Sequence, residues 1–397
     1  MSSLPLALGQ YATDWLDLLL RWLHVIAAIA WIGTSFYFVL LDQSLRPPAD
    51  EADAQAGVGG ELWEVHGGGF YQVQKYRVAP RVLPEHLAWF KWEAYTTWLS
   101  GFGLLIVLFY LDGAAALIDP TVADLEPWQA VALSAGLLAV AWLVYDVLCR
   151  AVRDDRVLGA CLAGGVVVAA WSTAELFSAR AAWLQVGAML GTVMAANVFF
   201  CIIPAHWELI RAKQAGRDPD AAPGIEAKRR SVHNNYLTLP VLLTMLAAHF
   251  GFLTGRDWAW LILVALMLLG AYARLFFNLR HTGRTHWWMP AVGAAALLAL
   301  AVALEPDDGP AGAAPTPAAL DRGRAVFASA GCGGCHALAD AGVAGTVGPN
   351  LDAARPSAAL VVERVTNGLG AMPAFRGRLT PAQIDDVAAY VSAVAGT

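Results

Sequence analysis

Eight runs of about twenty apolar residues, near 15–41, 93–112, 127–149, 157–177, 181–207, 236–255, 257–279 and 285–304, govern what this 397-residue chain can become. A helix needs roughly 20 apolar residues to cross about 30 Å of hydrocarbon, so the expected fold is all-α: an eight-helix transmembrane bundle with the lipid bilayer as its partner. Composition agrees, since 15% of the residues are charged where soluble proteins carry about 25%. The 16 Trp supply interfacial anchors. Ahead of the first run there is no Lys or Arg, and no small-residue cleavage signature follows it. That segment is expected to stay as an anchor.

Loop charges predict orientation. The exits of the odd-numbered runs hold 17 basic residues, among them Arg46, Lys75, Arg77, Arg81, Lys91, Arg150, Arg211, Lys228, Arg230, Arg274 and Arg280, whereas the even-numbered exits hold only Arg180 and Arg256. Both termini are therefore expected on the periplasmic side of a bacterial inner membrane. With 26 Lys+Arg against 32 Asp+Glu there is no sequence-wide basic footprint for nucleic acid.

After Leu304 the hydropathy stops. Residues 1–304 read as the membrane domain, 305–318 as a Pro/Ala/Gly linker, and 319–397 as a small soluble helical domain. That domain carries C-G-G-C-H at 332–336, the attachment motif of haem c. Cys332 and Cys335 are placed for two thioether bonds and His336 as the proximal iron ligand. A-M-P at 371–373 offers Met372 as the sixth ligand, and a Met/His pair raises the reduction potential. The expected cofactor is one covalent haem c in a class I-like cytochrome. Cys149, Cys161 and Cys201 lie in apolar runs and suggest no disulfide framework.

Ionisable groups inside spans are costly and point to function. His24 in the first run and His249 in the sixth fall at similar depth in the periplasmic half, so a haem b between them is one reading and ordinary imidazole–carbonyl bonding the other. At the opposite face, the 61–95 segment is rich in Trp, Tyr, His, Gln and Arg, and 229–240 places His233, Asn234, Asn235 and Tyr236 at a span entrance. Long loops of that kind are usually functional.

The strings L-R-W-L-H-V-I-A-A-I-A-W-I-G, S-F-Y-F-V-L-L-D-Q-S-L-R-P-P, G-V-G-G-E-L-W-E-V-H-G-G-G-F-Y, F-K-W-E-A-Y-T-T-W-L-S-G and H-N-N-Y-L-T-L-P-V resemble the bacterial membrane-bound urate oxidases that end in a cytochrome c domain. The resemblance covers practically the whole chain. It implies oxidation of urate to 5-hydroxyisourate in purine breakdown, with electrons passing through the fused cytochrome to a downstream cytochrome oxidase or soluble cytochrome c, and no release of hydrogen peroxide. Urate is a planar monoanion, so its recognition calls for Arg, an amide side chain and an aromatic face. The expected site draws Arg77, Gln72, His66 and Tyr71 from the first loop and His233 and Asn234 from the third, with one histidine as general base. Urate yields two electrons and haem c takes one, which favours the second haem. The rival readings are a membrane cytochrome that oxidises quinol or another small reductant, and a transporter with a cytochrome tail.

Overall fold

The computed structural model describes residues 4–111, 114–247, 250–254, 256, 258–305, 315–368 and 372–396. Two compact units are present, Met1–Met245 with Trp260–Ala295 and Leu246–Ala259 with Ala296–Thr397.

The first unit is a helical bundle. It comprises α1 (Leu4–Ser44), a short α2 (Glu51–Gln55), α3 (Trp92–Leu105), α4 (Pro127–Ala151), α5 (Asp155–Ala174), α6 (Ala179–Ala196), α7 (Ile203–Gln214) and α8 (Ala221–Ala247). After α9 (Gly251–Thr254), which belongs to the second unit, come α10 (Ala259–His281) and α11 (Trp288–Ala303). Among the described residues, six helical segments are long and apolar enough to cross a membrane: Tyr11–Ser44, Trp92–Tyr110, Pro127–Ala151, Asp155–Ala174, Ala179–Gln214 and Ala259–His281.

The count falls short of the eight apolar runs at the sixth and the eighth, for separate reasons. α8 buries Asn234, Asn235, Thr238 and Thr244, so its face is matched to protein rather than to lipid. It packs between α6 and α10: a Cβ on Gly187 would fall 2.8 Å from Thr244 Cβ, and one on Gly270 3.4 Å from the Pro240 nitrogen. Pro240 removes one helical donor inside α8. α11 has only 16 residues, about 24 Å at 1.5 Å per residue.

Two π-helical turns interrupt the regular pattern. Ile106–Tyr110 extends α3, and Asn197–Ile202 joins α6 to α7 in one continuous rod. Such turns frequently mark functional positions, and the second places Asn197 fully inside the bundle.

Residues expected to form a plain loop instead fold into an antiparallel hairpin, β1 (Val58–His66) with β2 (Gly69–Tyr76). His66 pairs with Gly69, so Gly67 and Gly68 make a two-residue turn with φ of +58° and +84°, the torsions a tight hairpin turn requires. The glycine run is thus a turn. The hairpin is tied to the end of α1 by the Arg46–Glu61 backbone pair at 2.9 and 2.8 Å and by Tyr37 Oη donating to Glu64 at 2.6 Å.

The soluble portion of the second unit contains α12 (Pro317–Ser329), β3 (Ala337–Leu338), β4 (Val343–Ala344), α13 (Leu351–Ala354), α14 (Ala358–Asn367) and α15 (Pro381–Val394) around a core of Phe327, Leu338, Val361, Ile384, Val387 and Tyr390. The class is all-α, with two small ribbons. Thr316 caps α12 through the Ala319 amide, so the helix begins within the last residues of the expected linker. Most of that linker, 306–314, lies outside the described residues.

α12 and α15 cross at Gly323, where a Cβ would fall 2.1 Å from Asp386 O and 2.5 Å from Tyr390 Cβ. Gly323→Ala should therefore push the helices apart and destabilise this domain by about 1–3 kcal/mol, the usual cost of overpacking. The check is the temperature at which the visible haem spectrum collapses. An unchanged midpoint would mean that the crossing relaxes freely.

Candidate functional site

The C-terminal site is built locally. Gly331 ends α12 with φ +75° and passes the chain into the turn that carries Cys332 and Cys335. His336 Nδ1 donates to Pro349 O at 2.9 Å. That bond fixes the tautomer and orients Nε2 as a ligand. Gly348 makes the approach possible, since a Cβ there would lie 2.5 Å from His336 Cε1. Cys332 and Met372 pack against the same apolar core. Burial pushes the Cys332 thiol up. Two thiols, an oriented imidazole and a thioether around one core form a donor set that fits haem c.

In the first unit, a cavity of about 580 Å³ opens between α1, β2, the segment before α3, the α6–α7 rod and α8. Its walls carry Asp42, Lys75 and Lys228, and both lysines ion-pair with the one carboxylate. Asp42 is 19% exposed, the lysines about half. Burial pulls both ammonium groups below the ordinary lysine value. Two cations and one anion leave a net charge of +1, matched to a monoanion.

The remaining walls are aromatic and amide-bearing. Trp89 packs against Trp207 with centroids 4.7 Å apart and ring planes tilted by 32°, His206 lies 6.5 Å from Trp89, and Asn234, Ser231 and Thr238 line the α8 side. A flat, monoanionic heterocycle finds a ring face, an amide, hydroxyls and cations here.

Beneath the cavity lies a buried polar network. Asn197 Nδ2 donates to Tyr145 Oη at 3.0 Å and to Asn234 Oδ1 at 2.9 Å. His233 Nδ1 lies 2.8 Å from Tyr145 Oη. Arg230, 2% exposed, donates to Asp146 at 2.9 Å and Glu226 at 2.8 Å. These groups satisfy one another, as buried polar groups must.

The residues chosen from sequence are scattered by this geometry. Asn234 lines the cavity, whereas His233 sits in the network. His66 and Tyr71 are exposed near the hairpin turn, and Gln72 donates to Glu61 at 2.9 Å on its flank. Arg77 is exposed just after β2, its amide donating to Gly57 O at 3.0 Å. None of these four is among the cavity walls. Asp42, Lys75, Lys228 and Trp89 were not expected in the site, whereas His206 belongs to the set of histidines, with His66, His86 and His233, that the sequence places at the same face. The usable signal was Asp42, one residue beyond an apolar run.

His24 Nδ1 donates to Thr97 O at 3.0 Å and lies 3.1 Å from Ser100 Oγ. Gly101 accommodates the ring, since a Cβ there would fall 2.8 Å from His24 Cε1. His249 lies outside the described residues.

Residues 10–305 match the family model described as urate oxidase N-terminal, and residues 318–391 the one described as cytochrome c oxidase, cbb3-type, subunit III. Curated relatives of the tail include cytochrome c6 of Nostoc sp., 43% identical across 17% of this chain and 65% of that protein, and cytochrome c6 of Synechocystis sp., 39% identical across 18% and 62%. The chain thus spans a little under two thirds of the length of these relatives. The c-type cytochrome SorU from Sinorhizobium meliloti is 48% identical over 20% of this chain and 95% of its own, with a TM-score of 0.20.

Proposed function

Because the chain belongs to the urate oxidase N-terminal family and ends in a cytochrome c domain, we propose that it is a membrane-bound oxidoreductase that converts urate to 5-hydroxyisourate in the Asp42–Lys75–Lys228 cavity. The observation that carries this reading is the net charge of +1 on a cavity with a tryptophan face and an asparagine. Urate plus water gives 5-hydroxyisourate, two electrons and two protons, so oxygen comes from water and no hydrogen peroxide forms. Lys75 and Lys228 hold the monoanion, Trp89 stacks on the ring, Asn234 reads an amide edge, and His206 accepts a proton through its imidazole.

Haem c, held by Cys332 and Cys335 with His336 and Met372 on the iron, supplies a one-electron acceptor when bound. A downstream cytochrome oxidase or soluble cytochrome c is the proposed recipient of these electrons. Both termini face the periplasm of a bacterial inner membrane in this reading, as the 17 basic residues on the opposite loops favour. The anchored Nδ1 of His24 leaves Nε2 as the atom through which a second, non-covalent haem b would be held. A pyridine haemochrome spectrum that shows c-type haem alone would remove that cofactor from the scheme.

The deciding experiment is anaerobic. Substoichiometric urate added to the purified oxidised protein should reduce two equivalents of haem c per urate, with ubiquinol as the control. No reduction by urate, or reduction by quinol alone, would overturn the reading.

A pH dependence follows from the lysines. Their charge binds urate, and burial lowers their pKa, so the cation is lost at a pH below the ordinary lysine value of about 10.4. KM for urate should accordingly rise on the alkaline side before that pH is reached, with kcat less affected. A flat KM through pH 10 would place the binding cation elsewhere.

A further inference from the structure

Among the described residues, two arginines are buried in the first unit, and their surroundings differ in kind. Arg230 has two carboxylates. Arg274, on α10 and 5% exposed, has only neutral partners: its Nε donates to Asn235 Oδ1 at 3.3 Å, its Nη2 to Asn278 Oδ1 at 3.2 Å, and its guanidinium lies 4.0 Å from the ring centroid of Phe36. Asn278 Nδ2 donates to Asn235 Oδ1 as well, at 3.1 Å. Both amide oxygens are therefore in use.

What remains are donors. The hydrogen bonds of Arg274 run through Nε and Nη2, which leaves Nη1 over, and Asn235 Nδ2 is buried without a partner on a residue that is 1% exposed. Arg274 lies seven residues before the end of α10 at His281, roughly 10 Å along a helix apolar enough to span a bilayer. An uncompensated charge at such a position is a mark of function, and the unpaired buried donor Asn235 Nδ2 carries a desolvation cost of its own. One ligand answers both.

We propose that Arg274, Asn235 and Asn278, beneath Phe36, form a binding site for a small monoanion, which accepts hydrogen bonds from the Arg274 guanidinium and the Asn235 carboxamide between α1, α8 and α10. The single unneutralised charge selects a monovalent ion over a divalent one. The guanidinium charge itself disfavours a cation. None of these four residues lines the cavity assigned to urate, so the site is separate from it. A simple carboxylate and a halide share the required chemistry.

The test uses the detergent-purified full chain with haem c kept reduced by ascorbate. Thermal midpoints are taken in sodium gluconate and after separate addition of chloride and acetate, with no urate present because it would also bind the cavity. At least one of the two should raise the wild-type midpoint by about 2–4 °C at several times its Kd, and which of them does so identifies the source of the anion. Arg274→Gln should abolish the rise and begin from a higher midpoint in gluconate, because it removes an unpaired charge. Asn235→Asp supplies a built-in carboxylate next to the guanidinium and should do the same, which keeps the test decisive if Arg274→Gln fails to fold. Absence of any rise in the wild type, or persistence of the rise in either folded variant, overturns the proposal. The anaerobic haem titration is unaffected by either result, so failure here is distinct from failure of the urate reading.

Discussion

Replacing both Lys75 and Lys228 by Met should lower kcat/KM for urate by about 100-fold while haem c content and spectrum stay unchanged. Each charge-assisted hydrogen bond contributes about 1.5–3 kcal/mol, and the lower end applies because both side chains are about half-exposed and partly screened. Two such contacts make roughly 3 kcal/mol, or about two factors of ten. The double variant also strands the Asp42 carboxylate in the cavity, where it repels the substrate. Asp42→Asn has the opposite sign: it frees both ammonium groups and should tighten urate binding. Steady-state kinetics with a soluble electron acceptor measure all three. If the double variant retains wild-type kcat/KM, the cavity is not where urate binds.

The second large effect concerns stability. Arg230→Met should destabilise the bundle by about 3–5 kcal/mol, because removing one partner of a buried ion pair leaves the other charge uncompensated. Asp146, 15% exposed, would keep only the exposed Arg150 at 2.8 Å as a counter-charge, which places the loss at the lower end of that range. Adding Asp146→Asn to Arg230→Met should recover part of the loss. Denaturant-induced unfolding followed by tryptophan fluorescence reports the difference. Equal midpoints for the single variant and the wild type would show that the network carries no net stabilisation.

How much was legible in the sequence depended on how local the signal was. The residues proposed to hold haem c lie within five consecutive residues and a short downstream motif, so spacing alone points to them. Long apolar runs gave the bundle for the same reason. α8 misled because its polar residues face other helices: Asn234 bonds Asn197 and Met194, and Asn235 accepts from Arg274 and Asn278, contacts that no local pattern reveals. The β1–β2 hairpin was not legible because E-L-W-E-V-H and F-Y-Q-V-Q-K-Y lack a clean period of two: Leu62–Trp63 and Phe70–Tyr71 are adjacent apolar residues. Asp42 and Lys75 are 33 residues apart, and Lys228 stands on another helix. Their convergence is a tertiary fact. Arg274 counted as a cytoplasmic-side charge, yet it falls within the 257–279 run; reading it as a charge inside a span would have found it.

One wall of the cavity is a ribbon with no third strand. Val73, Gln74 and Lys75 of β2 face the cavity, and β2 pairs with β1 alone. A two-stranded ribbon is marginal by itself in water, so its order rests on its ties to α1 and on whatever occupies the cavity. Ribbon folding and ligand occupancy are then a single coupled equilibrium. Amide protons of Gln72, Gln74 and Tyr76 should exchange with solvent faster than those of the bundle core in the empty protein and slow when the cavity is filled, so that isotope uptake along this strand reports site occupancy without any turnover.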